Sequence, residues 1–494
     1  MKTNHFLTLA MLAILAGGCA NVPSVGPDYH KPETKAPTQW TEPLSGGETD
    51  SAAATAAWWK NFHDTELDSL MARAACSNLD LRMAQSRVRE ARAQYGGASA
   101  DLWPTVNGGG GYNRWRQSEH QPVLGSLPIP PGVPFDGNVY QAGFDASWEI
   151  DVFGGKRRAV ESAGAQLVAS EFSRRDVLVS LLGEVARNYV DLRGYQKRLA
   201  IANQNIEAQE KSLAITQNRF TNGLATDLDV QQAKTVLATT RAAVPTLESL
   251  IETTMHRLEV LTGQQPGTLQ TELAAVAPIP AQPPQVPVGL PSELLLRRPD
   301  ISRAERQLAA ATANIGVAKS DLFPKFYLTG SVGSESISAD DWFTSGSRFW
   351  SVGPAVQWRI FDAGRIRANI KVQNARQEQA LAAYEQTVLT AFEEVEDNLV
   401  LYAKEQLRRR SLEDAVAASQ KSLETANKLY ANGLTDFIHV LDAERSLYQT
   451  QDALAQSDRT VSANLVALYK SLGGGWETKT KTLAVNETPA QNKP

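Results

Sequence analysis

The sequence predicts a mixed α and β membrane protein made of two copies of one unit, each combining two strands with very long helices. Three observations predict this class. Matching motifs recur at a spacing of roughly 210 to 220 residues, apolar and polar residues alternate in each copy, and long proline-free segments carry a helical apolar stripe. The length of 494 residues and the 42% share of hydrophobic residues allow a large folded core.

The N-terminus predicts an exported and lipid-anchored chain. Lys2 precedes an apolar run that is too short to span a bilayer, and small residues lead up to Cys19. Residues 1–18 resemble a lipoprotein signal peptide, with Cys19 acylated after cleavage; an ordinary secretory signal with a chance cysteine is the alternative. Ala20, where an Asp commonly marks inner-membrane retention, favours the outer membrane. We expect Cys76 to be a buried residue without a disulfide partner.

The repeats define the predicted domain organisation. A proline-rich linker cannot form a helix or a central strand, so it separates the two copies. A second proline-rich stretch, from residue 121 to 137, is an exposed loop of the first copy. The predicted boundaries are an N-terminal extended segment (19–57), a first repeat (58–263), the linker (264–290), a second repeat (291–474) and a polar C-terminal tail (475–494).

Two strands are predicted in each repeat. Apolar residues alternate with polar or small ones over residues 140–152 and again over 350–360, and each run has an upstream partner, Thr105–Arg116 and Lys325–Ser334. A half-buried soluble sheet would alternate equally well. In lipid an open sheet edge is not tolerated, and the smallest closed barrels have about eight strands, so chains must pool their strands. Two chains or three would both close a barrel, and the pattern does not choose between them.

The rest of each repeat is predicted to form a helical hairpin of unusual length. Residues 157–221 lack proline and carry an apolar stripe that recurs in the second repeat. A helix over residues 365–430 would be roughly 100 Å long. Both long helices end at Asn-Gly-Leu, where glycine supplies a left-handed C-cap, and Thr226 or Asp436 can cap the returning helix. The predicted hairpin tips, far from the strands, are Gly223-Leu224 and Gly433-Leu434.

These residues resemble the outer-membrane factors of tripartite efflux systems, the TolC-like family, and especially its NodT or OprM-like lipoprotein branch. The run Gly289–Ile301 looks like the signature of that branch, and Gly26–Tyr29, Trp58-Trp59, Ala318–Pro324 and Leu441–Ala443 support the likeness. The resemblance implies a homotrimer with a twelve-stranded β-barrel in outer-membrane lipid, four strands per chain, continued by a long α-helical periplasmic tunnel. It implies a passive exit duct that meets a periplasmic adaptor (membrane fusion) protein at its hairpin tips and serves an inner-membrane pump of RND type.

The resemblance also implies a gate at the periplasmic tip, where an acidic residue of the second repeat faces the axis. The matching residue is Asp442, with Ile438 one helical turn earlier on the same face. Three copies would form a carboxylate ring that concentrates cations and resists anions. Some relatives carry a second acid where this chain has His439, whose imidazole would make the aperture sensitive to mild acid. The alternatives are a solvent-facing charge at Asp442 and an ordinary surface histidine at His439.

Other functional classes fit the sequence less well. The six His form no metal-ligand cluster in the sequence, and it contains no phosphate-binding glycine loop. It also shows no motif that would activate a catalytic nucleophile, so we predict no catalytic residue, cofactor or metal. Basic residues are dispersed and the net charge is −5, which argues against a nucleic-acid partner. The outer-membrane component of a type I protein secretion system stays open as an alternative. A periplasmic coiled-coil adaptor is another, but it would not explain the duplicated strands.

Overall fold

The structure is a computed structural model that describes residues 24–34, 36–41, 48–49, 56–118, 135–280, 283 and 286–476. The predicted signal peptide with Cys19, residues 121–134 of the proline-rich loop and residues 477–494 of the predicted tail lie outside the described residues.

The first repeat runs from helices through two strands and back to helices. A two-residue strand β1 (Glu48–Thr49) comes before the first repeat, which begins with a 3-10 helix (Trp58–Phe62). Its elements are α1 (Thr65–Ser77), α2 (Leu79–Ala100), β2 (Thr105–Arg116), β3 (Asp136–Ile150), α3 (Gly155–Thr221) and α4 (Asp227–Leu261).

The second repeat has the same order of elements. Between the repeats lie α5 (Gln270–Leu273) and β4 (Val286–Pro287), which pairs in parallel with β1. The second repeat consists of α6 (Pro291–Arg297), α7 (Pro299–Ser320), β5 (Lys325–Ser336), β6 (Arg348–Gln357), α8 (Arg365–Ala431) and α9 (Phe437–Ser471). Both α3 and α8 have 67 residues, both α4 and α9 have 35, and both α2 and α7 have 22. Equal lengths in the same order confirm the predicted internal duplication.

One compact unit, the sheet unit, contains the described residues of 24–32, 89–169 and 305–383. Its strands form an antiparallel sheet in the order β2-β3-β5-β6, so the two repeats contribute equally and meet where β3 pairs with β5. The same contact recurs at the start of each copy's first strand. The Trp148 Nε1 donates to the carbonyl of Leu102 over 2.8 Å, and the Trp358 Nε1 donates to that of Leu322 over 3.1 Å.

The second compact unit, the helical unit, contains the described residues of 33–88, 170–304 and 384–476. Its core is built on the predicted stripe of α3 and the matching stripe of α8. Residues Leu182, Val185, Tyr189 and Leu192 of α3 are buried in one cluster with Val395, Leu399 and Tyr402 of α8. Trp58 joins this cluster, stacked on Tyr469 with ring centroids 5.2 Å apart. The apolar stripe therefore faces the core in both repeats.

No helix in the described parts of the chain combines the length and the hydrophobicity needed to cross a membrane.

Three local expectations differ from the structure. Asp436 occupies the N-cap position of α9 without a side-chain capping bond, whereas Thr226 forms a capping box with Asp229 at α4. The third helical residue of α9 is His439, so the acid that completes the box in the first repeat is missing. Cys76 is exposed, because it lies on the opposite side of α1 from the buried Leu70 and Met71.

The alternation over residues 350–360 also runs past the end of its strand. β6 ends at Gln357, which pairs with Lys325, the first residue of β5, so β5 offers no residue to pair with the next one. In the turn before α8, the Asp362 carboxylate accepts hydrogen bonds from the backbone N–H groups of Gly364 and Ile366 over 2.9 and 2.7 Å. Trp358 and Ile360 continue the apolar pattern in this turn, outside the ladder.

Candidate functional site

The sheet has one apolar and one polar face, and the apolar face is strongly exposed. Cross-strand pairing aligns Phe144, Val332 and Trp350 on one side. Val352 lies on the same side with 68% of its surface exposed, and Trp350 is 76% exposed. Soluble monomers rarely expose a contiguous apolar patch of this kind, so the face is suited to contact with lipid tails.

The opposite face carries small and polar side chains. The Asn107 amide donates to the Asp145 carboxylate over 3.1 Å, and the hydroxyls of Ser331 and Ser351 are 2.7 Å apart. These side chains face away from the apolar side because neighbouring residues of a strand point in opposite directions. The sheet can therefore separate a hydrocarbon phase from a wet one.

The hairpin tips have the same geometry in both repeats. Gly223 and Gly433 have φ values of 73°, a left-handed conformation that glycine adopts without strain. The next amide in each tip donates back to the long helix: Leu224 to the Arg219 carbonyl over 2.8 Å, and Leu434 to that of Leu429 over 2.9 Å. Both leucine side chains are exposed, Leu224 by 68% and Leu434 by 73%. Each tip thus presents one apolar side chain on a fixed backbone.

A cation–π contact links the ends of the two long helices. Arg219 of α3 donates from Nη1 to the backbone carbonyl of Tyr430 over 3.1 Å, and its guanidinium lies 4.3 Å from the centre of the Tyr430 ring. That ring is 5.1 Å from the Phe437 ring at the start of α9. The contact satisfies a carbonyl at the C-terminus of α8 and ties the two hairpins together.

The predicted gate residues lie in two grooves of the helical unit. His439 and Asp442 line a groove between α8 and α9, whereas Ile438 lines the neighbouring groove between α4 and α9. His439 and Asp442 are exposed in the single chain. Asp442 also has a partner that the sequence analysis missed: Nη2 of Arg445 lies 2.8 Å from its Oδ1. The spacing of three residues on one helix was the signal that could have identified this ion pair.

A second acid near Asp442 is buried, and sequence reasoning missed it too. Only 5% of Glu444 is exposed, on α9, and its Oε1 accepts a hydrogen bond from the Ser212 hydroxyl on α3. Its Oε2 has no hydrogen-bond partner among the described residues. Burial raises the pKa of this carboxyl, and the Ser212 bond lowers it. A charged residue at a position that the stripe of α9 reserves for apolar side chains was the available signal.

Ion pairs hold α9 against α3 along much of its length. Arg198 of α3 forms two hydrogen bonds with Asp452, over 2.6 and 3.1 Å. Lys197 approaches Asp458 to 2.6 Å, and that carboxylate also accepts from Arg409 of α8 over 2.5 Å. One carboxylate therefore joins three helices. These contacts fix the axial register of α9, the helix that carries Asp442.

No cluster of three or more His, Cys, Asp or Glu side chains that could hold a metal ion occurs within the described ranges.

The chain is similar to known proteins over nearly its whole length. The family described as "Outer membrane efflux protein" matches residues 70–264 and 290–474. The cation efflux system protein CusC of Escherichia coli O6:H1 is 32% identical over 94% of this chain and 98% of its own. The pyoverdine export outer membrane protein OpmQ of Pseudomonas aeruginosa is 34% identical over 97% and 98%. The solved structure of the outer-membrane channel OprN is 38% identical, covers 92% of this chain and 100% of its own, and has a TM-score of 0.85.

Proposed function

This chain belongs to the outer membrane efflux protein family, and from that premise we propose that it is the outer-membrane channel of a tripartite efflux pump. Three copies form a passive duct that carries solutes from the periplasm to the exterior. The observation that carries this proposal is the four-stranded sheet, which is apolar and exposed on one face and polar on the other. Three such sheets supply the twelve strands of a closed barrel.

The N-terminal segment supports anchoring beside this barrel. Ser24 packs against Gly154 just after β3, and the backbone N–H of Val25 donates to the Phe153 carbonyl over 3.0 Å. Buried Arg158 holds the segment through Asp28 at 2.5 Å. Cys19 precedes Ser24 by five positions, which limits the reach to about 18 Å. An acyl chain on Cys19 would therefore enter the membrane next to the end of the sheet.

We further propose that the aperture is formed by Asp442 from three chains. In the single chain its carboxylate is exposed and offset by Arg445, so the charge of the ring depends on how firmly that pair is held. An acidic ring favours cations at the narrowest point, while realigned helices would widen it for other solutes.

The hairpin tips are the surfaces that we propose for the periplasmic adaptor. Leu224 and Leu434 are exposed apolar side chains on rigid turns, and the Arg219 contact keeps the two tips at a fixed spacing. A partner of RND type behind the adaptor completes the pump. Solutes named for the relatives include cations and pyoverdine, which differ so widely that the pump, rather than the duct, must select the substrate.

Conductance measurements on the purified protein in planar lipid bilayers test the channel and its aperture. Asp442→Ala should reduce the preference for cations over anions, and Arg445→Ala should increase it, because the first removes a negative charge and the second exposes one. Asp436→Ala, an exposed acid at the hairpin tip, is the matched control and should leave selectivity unchanged. A protein that gives no conductance at all, or that stays soluble without detergent once Cys19 is replaced by Ser, would instead support the adaptor alternative.

A further inference from the structure

Close to Asp442, helix α9 carries a buried carboxyl group at a position where its neighbouring buried side chains are apolar. Val440, Leu441 and Leu447 of α9 are each no more than 6% exposed, and Glu444 lies among them at 5%. Around the same level, α4 and α8 contribute the buried residues Ala233 and Ala426. An ionised carboxylate is strongly disfavoured in such surroundings unless a cation or several donors accompany it.

The partners of Glu444 do not meet that requirement. Ser212 donates one hydrogen bond to Oε1, and Oε2 has no partner in the described part of the chain. Gln209, one turn before Ser212 on α3, is only 3% exposed, and neither its amide oxygen nor its amide nitrogen has a partner there. This layer of α3 thus offers uncharged polar groups and no cation.

The charged groups on the surrounding helices are exposed and engaged elsewhere. None of them contributes to the raised pKa of Glu444, which arises from burial and is opposed only by the Ser212 bond. His439 of α9 and Lys234 of α4 are exposed. The remaining groups pair with one another: Lys211 with Glu207 on α3, Arg241 of α4 with Glu210 of α3, Lys421 and Lys428 with Glu424 on α8, and Asp442 with Arg445 on α9.

The two repeats differ at this position. By the offset that aligns α4 with α9, Lys234 corresponds to Glu444, and Lys234 points to solvent. The buried acid therefore belongs only to the repeat that carries Asp442, two residues away. A packing requirement common to both hairpins would not produce this difference.

We propose that Glu444 is a proton switch that controls how tightly α9 packs against α3 beside the aperture. This inference rests on the proposed channel function and adds its regulation. The neutral carboxyl can stay buried and can donate from the oxygen that lacks a partner. The ionised carboxylate requires water, so α9 separates locally from α3 and the aperture widens.

The direction of the pH effect follows from the raised pKa of Glu444. Because the packed state raises the pKa of Glu444 above its ordinary value of 4.5, it binds the proton more tightly than the loosened state. The stabilisation of the packed, narrow aperture is complete below 4.5 and is lost as pH rises through the raised pKa. The aperture should therefore open towards higher pH.

Conductance of the reconstituted trimer between about pH 4 and about pH 8, a range that begins below the ordinary pKa of Glu, tests the proposal. The wild type should conduct more as pH rises. Glu444→Gln, which mimics the neutral acid, should keep the low conductance throughout. Ser212→Ala removes a hydrogen bond that stabilises the ionised carboxylate of Glu444. This variant should therefore move the midpoint of the conductance change to higher pH. His439→Ala should retain the wild-type profile.

Hydrogen exchange on the same detergent-solubilised trimers gives a readout that does not depend on conductance. Amides of residues 437–447 should exchange more slowly in Glu444→Gln than in the wild type at about pH 8, because ionisation no longer loosens the helix. A wild-type pH profile or unchanged protection in Glu444→Gln overturns the proton switch. If instead Asp442→Ala leaves ion selectivity unaltered, the proposed aperture is wrong, whatever Glu444 does.

Discussion

Replacing Val352 with lysine tests which face of the sheet meets lipid. Val352 lies in the middle of β6 opposite Gly330, on the apolar side, and is 68% exposed in the single chain. A lysine facing lipid near the bilayer midplane costs about 2–4 kcal/mol, so three chains together would lose roughly 6–12 kcal/mol. That loss is comparable to the whole folding free energy of a typical domain, about 5–15 kcal/mol. We expect Val352→Lys to abolish the assembled protein in the outer membrane.

The adjacent residue provides the control. Ser351 is exposed on the same strand but on the polar face, and its hydroxyl contacts Ser331 over 2.7 Å. Ser351→Lys gives up one hydrogen bond, about 1 kcal/mol, and places its charge in the wet lumen. Trimer abundance in outer-membrane fractions, measured as the band that resists SDS before boiling, should be near wild type. The reasoning fails if Val352→Lys assembles normally or if both lysines are equally harmful.

Two further predictions concern the helical unit. Arg298 is buried and binds two carboxylates and a backbone carbonyl. Arg298→Met should lower the free energy of unfolding, measured with denaturant, by about 3–5 kcal/mol, because it leaves both acids without this partner. A loss below about 1 kcal/mol would contradict this structural role of Arg298. Burial and the neighbouring Glu272 raise the pKa of Glu66 to about 7, so stability should decline as pH rises from the ordinary value of 4.5 towards 7. Glu66→Gln should make the unfolding midpoint depend less on pH between about pH 5 and about pH 8. An unchanged dependence on pH would rule out Glu66 and Glu272 as its source.

Three strands were predictable because alternation is a local property of an extended backbone, whereas the Gly-rich and weakly patterned first strand was predicted as the upstream partner of an alternating run. The predicted Thr105–Arg116 coincides with β2, and Lys325–Ser334 ends two residues before β5 does. The pattern failed at the end of β6, where Ile360 continues the alternation in a turn. Periodicity indicates which face a side chain would occupy, whereas the end of β6 is set by its partner, because Gln357 pairs with the first residue of β5.

The candidate site was less accessible to sequence reasoning, because it depends on which helices touch. The stripe of α9 could have marked Glu444 as unusual, but its cover by α3 could not be predicted, because its partner Ser212 is 232 positions away in the chain. At Cys76 the residue type suggested a buried side chain, but the orientation of α1 leaves Cys76 exposed. Ile438 and Asp442, one turn apart on α9, line different grooves, since helices pack on both sides of α9.

The strand order shows how several copies of the chain can join into one closed barrel. The strand order β2-β3-β5-β6 is antiparallel throughout and has an even number of strands, so β6 of one chain can pair with β2 of the next without breaking the alternation. Such head-to-tail joining closes into a ring, and no edge is left in lipid, where each unpaired backbone group costs several kcal/mol. A ring of two chains would have about eight strands, and barrels of that size are filled by their own side chains. The twelve-stranded ring of the proposed trimer leaves a wider lumen, and membership of the outer membrane efflux protein family, rather than the strand pattern, favours it over the smaller ring.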